Sequence, residues 1–77
     1  MVRLQYFVVF ADNQWTISYG GRHFGPFTTQ RNAIRAAVDA AHRAGIEGDT
    51  AQVLVQGTDS RFRAEWTYGY DPYPPPA

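Results

Sequence analysis

One stretch of this 77-residue chain repeats its apolar residues at helical spacing, and strand-like segments flank it on both sides. Residues 29–44 read TQRNAIRAAVDAAHRA. Ile34, Ala37, Val38 and Ala41 fall at i, i+3, i+4 and i+7, which predicts one buried stripe on an amphipathic helix. Ala33, Ala36, Ala40 and Ala44 add helix propensity. Thr29 is the expected N-cap, with a hydroxyl able to accept from a free amide one turn in. Phe27, two places earlier, is expected to anchor the entry to the core. Gly45 is the expected stop, since it tolerates the left-handed conformation of a helix C-terminus. Arg43 lies at the end that favours a cation, and Arg35–Asp39 and Asp39–Arg43 are i, i+4 pairs on the wet face. Apart from Ile34 and Val38 the apolar residues are small, so the helix can lie close to a sheet that supplies the bulk.

The remaining segments read as strands. Leu4 to Phe10 is aromatic and β-branched and nearly continuous in apolar residues, as a central strand would be. Ala11 to Gln14 is a turn by composition. Trp15 to Tyr19 alternates cleanly, with Trp15, Ile17 and Tyr19 on one face. Gly20-Gly21 is a hairpin signal, and Arg22-His23-Phe24 forms a short third strand that Gly25-Pro26 is expected to end. After the helix, residues 46–50 connect to a fourth strand over 51–56. Gly57 to Ser60 is a turn. A fifth strand over 62–68 places Phe62, Ala64, Trp66 and Tyr68 together on the inward face. Gly69 to Ala77, GYDPYPPPA, is too rich in proline for helix or strand.

The order β-β-β-α-β-β predicts a two-layer α+β domain with one helix packed on an antiparallel sheet. Residues 1–69 form a single domain and 70–77 a Pro- and Tyr-rich tail, partly docked. Only one sheet face has a helix to cover it, so the other is a place for a partner or a second copy. The chain is small enough to be marginal alone, and without cysteine it has no disulfide or thiolate site. Its 16% aromatic content then has to fill the core. Net charge is zero, and all seven basic residues are arginine. That balance lacks the positive excess of a dedicated nucleic-acid binder. No apolar run is long enough for a membrane span and no secretory leader is evident, so the expected location is cytoplasmic and no membrane partner is expected.

Several residues together carry a resemblance. Trp15 opens the second strand, Ala33-Ile34 follow the Thr cap, and Asp59 leads a turn. Thr67-Tyr68-Gly69 and then Asp71-Pro72-Tyr73-Pro74 close the chain. This pattern resembles a family of short bacterial and phage proteins classed as a domain of unknown function. The resemblance covers nearly the whole chain and is most specific at its C-terminal end. Gln14 and Ser60 stand where the family commonly has glycine. The resemblance implies a fold and a bacterial or phage setting, and it implies no activity.

The inventory for catalysis is thin. His42 lies three residues after Asp39 and could act as a base with its orienter, but a solvated helix face explains both. His23 lacks a second ligand at i+2, so neither metal nor other cofactor is expected. No phosphate loop precedes the helix and no serine has nucleophile context. The chain is therefore expected not to be an enzyme. The expected role is a non-catalytic protein-interaction or self-associating module, its partner another protein or a further copy. The alternative is a DNA- or RNA-binding accessory domain. For it, Arg3, Arg22, Arg61 and Arg63 would supply charge, and Tyr6, Trp15, Tyr19 and Trp66 stacking faces. The candidate partner-binding residues are Arg22, Arg61, Arg63, Tyr70 and Tyr73. The two tyrosines sit in a segment that could be a groove-binding ligand or a clasp folded back on the sheet.

Overall fold

The computed structural model describes residues 3–75. Five strands and one helix follow in the expected order. They are β1 (Arg3–Ala11), β2 (Gln14–Tyr19), β3 (Arg22–Phe27), α1 (Gln30–Ile46), β4 (Thr50–Gln56) and β5 (Phe62–Thr67). The sheet runs β3-β2-β1-β4-β5. Each hairpin is antiparallel, but the central pair β1·β4 is parallel, so the sheet is mixed. The helix is the reason. It carries the chain from the outer edge back across one face, and β4 then enters beside β1 in the same direction.

Local chemistry explains the turns. Asp12 and Asn13 both take positive φ, a two-residue turn whose twist suits a hairpin and which these side chains tolerate. The third strand does not stop at Gly25-Pro26 as its composition suggests. It continues to Phe27, which pairs with Trp15 across a register shift. Proline is tolerated there because β3 is an edge, and Gly25 takes a φ of 128° that relieves the irregularity.

Thr29 caps α1 as expected, its Oγ1 accepting from the Asn32 amide at 3.1 Å. The helix ends later than Gly45. Gly45 is helical and buried, Glu47 is the C-cap, and Gly48 takes the left-handed φ of 103°. Ala33, Ala37, Val38, Ala41 and Ala44 are buried against the sheet, whereas Ile34 is only half-buried. The buried stripe is thus rotated towards the alanines. Their small side chains let the helix sit close over Tyr6 and Val8 of β1, Ile17 of β2, and Ala51, Val53 and Val55 of β4. Burying a residue such as Val38 stabilises the fold by about 2 kcal/mol.

The helix lies mainly over β1 and β4 and reaches β2 and β3 at its margin. The inner face of β5 is covered by something else.

Candidate functional site

That cover is the tail. Beyond β5 the chain reverses, and the amides of Tyr70 and Asp71 both donate to the Thr67 carbonyl. The Asp71 carboxylate accepts from the Thr67 amide at 2.8 Å. The indole N–H of Trp66 then donates to the Pro72 carbonyl at 2.9 Å. Tyr73 lies flat on the His42 ring, with centroids 3.6 Å apart and planes within 7°. Its hydroxyl donates to Asp39 at 2.7 Å. Trp66 and Tyr68 meet the same ring cluster edge-on or tilted. Trp66 is 2% exposed as a result. Pro74 and Pro75 continue along α1 and line a shallow groove of about 390 Å³ with Ile34, Arg35 and Glu65. Asp39 and His42, considered above as a base and its orienter, are both engaged by Tyr73. The Asp39 hydrogen bond holds the Tyr73 phenol above its ordinary pKa. Burial, helped by Tyr19 stacked on it at 4.4 Å, does the same for Tyr6.

Among the described residues the opposite sheet face has no such cover. Cross-strand partners share a face, so the register identifies its members. Phe7 pairs with Ser18 on one side and Leu54 on the other, and Leu54 with Ala64. Val9 pairs with Thr16, and Gln5 with Gln52, which pairs with Thr67. Phe62 belongs here too. Its ring meets Phe7 edge-on at 5.2 Å and is 42% exposed. The sequence pattern had put Phe62 and Ala64 inward with Trp66. A register shift between Val53 and Leu54 breaks the alternation of β5, so Trp66 and Tyr68 face the helix side while Phe62 and Ala64 face away. The result is an apolar block of Phe7, Val9, Leu54, Phe62 and Ala64. Gln5, Gln52, Thr16, Ser18 and Thr67 border it, and Arg3, opposite Thr50, and His23, opposite Ser18, lie at the margin of the same face.

The five candidate partner-binding residues are not gathered on one surface. Arg22 lies in β3 at one edge of the sheet, while Arg63 lies in β5 at the other and Arg61 in the turn before it. Tyr70 is 88% exposed at the turn after β5, and Tyr73 is in the clasp. The aromatics proposed for base stacking are turned elsewhere. Tyr6 and Trp66 are buried, and Trp15 and Tyr19 pack against the core under the helix. Sequence reasoning missed the open-face block because alternation within β1 and β4 is hidden by apolar residues on both faces. Gln5, Phe7, Val9 and the matching Gln52, Leu54 were the available signal.

Among the described residues no group of three His, Cys, Asp or Glu could hold a metal, and no helix is long and apolar enough to cross a membrane. The model of a family described as an uncharacterized protein conserved in bacteria (DUF2188) matches residues 6–68. The chain belongs to that family. The family match takes in all of β2, β3, α1, β4 and β5 and most of β1, and it stops before the Asp71–Pro74 segment of the clasp. No curated protein and no solved structure matches the chain.

Proposed function

We propose that this family member is a non-catalytic interaction module and that the open sheet face is its contact surface. The observation that carries the reading is the uncharged apolar block around Phe7 and Phe62. Interfaces differ from ordinary surface chiefly by lacking charge at their centre, with aromatic residues in the middle and a polar rim. The open face has this anatomy, whereas a free sheet face of a lone domain normally alternates to polar and charged side chains. The tail supports the reading indirectly. Its Pro72 carbonyl and Tyr73 hydroxyl are already bonded within the domain, so it acts as a clasp and not as a ligand for a partner's groove.

A photo-crosslinking amino acid at Val9, in cells of the source organism, tests this. A discrete protein adduct is expected from Val9 and none from the same probe at Arg35 on the wet helix face. No adduct from Val9, or the same adducts from both positions, would overturn the reading.

A further inference from the structure

The open sheet face, apolar at its centre, suits one occupant best. We propose that it is a second copy of this chain, packed face to face about a two-fold axis to give a helix–sheet–sheet–helix sandwich. The inference rests on the reading of that face as a contact surface and names what covers it.

Charge is the first argument. A two-fold interface brings each residue against the same patch, so any charge near its centre meets its own kind. The centre of the face, formed by Phe7, Val9, Leu54, Phe62 and Ala64 with Gln5, Thr16, Ser18, Gln52 and Thr67 around them, has no charged member, and Arg3 and His23 lie only at its margin. The side chains that border the centre directly are amides and hydroxyls. Each of those groups both donates and accepts, so a rim of this kind can hydrogen-bond to a copy of itself, which a rim of arginines or carboxylates cannot.

Shape is the second. The Phe7 ring is flanked by Ser18 in β2, and Leu54 by Ala64 in β5. Large side chains beside small ones give ridges and recesses, the relief that lets two facing sheets interdigitate about 10 Å apart.

Area is the third. Five strands about 4.8 Å apart, each about six residues of roughly 3.3 Å, present a face of about 24 by 20 Å. Two such faces bury on the order of 1,000 Å², the lower bound for a specific interface.

The last argument is need. A chain this short, without cysteine, has one of its two sheet faces covered, and oligomerisation is a usual remedy for so small a core. Helix and clasp both lie on the far side, so neither obstructs the approach.

Sedimentation equilibrium of the intact protein tests the inference. A mass of twice 8.7 kDa is expected, with dissociation on dilution. Phe62→Glu, and separately the milder rim change Thr16→Glu, should each raise the dimer dissociation constant at least roughly tenfold by placing an unpaired carboxylate in the buried interface. Circular dichroism checks that each variant is folded, and Arg35→Glu on the wet helix face should leave the mass unchanged. A monomer at every concentration up to about millimolar would overturn the proposal. So would a dimer that neither Phe62→Glu nor Thr16→Glu weakens, since association would then use another surface. If the protein is monomeric yet the Val9 probe still captures a different protein, the occupant is wrong and the contact-surface reading stands.

Discussion

At the scale of single residues, Gly45 decides more than its place in a helix suggests. A methyl group there would enter the Tyr68 ring. Helix propensity alone predicts that Gly45→Ala gains about 1 kcal/mol. Overpacking in a close-packed interior costs about 1–3 kcal/mol, and here the collision is with the body of a ring held under the helix, so the loss should win. Denaturant unfolding is expected to show a net destabilisation; a gain would mean that Tyr68 is free to move. Ser60 runs the other way. It takes φ of 65°, exposed, in the turn before β5. A left-handed conformation costs a non-glycine residue about 1–2 kcal/mol, partly offset by the greater freedom of an unfolded glycine. Ser60→Gly should therefore raise the unfolding midpoint modestly. Tyr73 gives a pH dependence. Its phenol is raised first by the hydrogen bond to Asp39, so the neutral form is the one the clasp favours. The docking contribution is whole below the unfolded phenol value of about 10 and is lost as pH climbs through the higher folded value. The Trp66 indole N–H resonance, bonded to Pro72, reports it. Tyr73→Phe should remove most of the alkaline change, and the buried Tyr6 accounts for a remainder of the same sign.

At the scale of elements, the helix and the tail show what a pattern can reveal and where it fails. The helix was legible to within a residue at its start, because Thr29 and the apolar period are local signals. Its buried face was not. Four apolar positions do not distinguish a stripe centred on Ile34 from one centred on Ala37, since alanine fits either environment. Close approach to Val8 and Val53 selects the alanines. Val38→Ala is accordingly expected to cost about 2 kcal/mol, and Ile34→Ala less than that, measured side by side in denaturant. Strand five was legible as a strand but not in its facing, because a register shift leaves no mark in FRAEWT. The tyrosines of the tail marked it as either a clasp or a groove-binding ligand and did not choose between the two. The partners that hold it, Asp39 and His42, are remote in sequence and looked like ordinary wet-face residues. Truncation after Gly69 removes the Pro72 acceptor of a nearly fully buried indole and the Tyr73 ring over His42. A buried donor left unpaired costs about 1–3 kcal/mol, so calorimetry should show a lower melting temperature; an unchanged one would mean that the tail contributes nothing to the domain.

At the scale of the whole molecule, the architecture was readable as one helix on a five-stranded sheet, and the hairpin pairs followed from turn chemistry. Which hairpins meet is not a local property. Nothing in residues 3–8 or 50–55 distinguishes parallel neighbours from antiparallel ones; the length of the helical crossover does. The open face followed from the same topology, since a single helix cannot cover two sides. The pairing of β1 with β4 also dictates an order of events during synthesis. The first strand leaves the ribosome early and can hairpin at once with the second, yet its other flank stays raw until the fourth has been made. A fragment ending near residue 45 should therefore be protease-sensitive, and protection should arrive only in fragments that include the stretch 50–56.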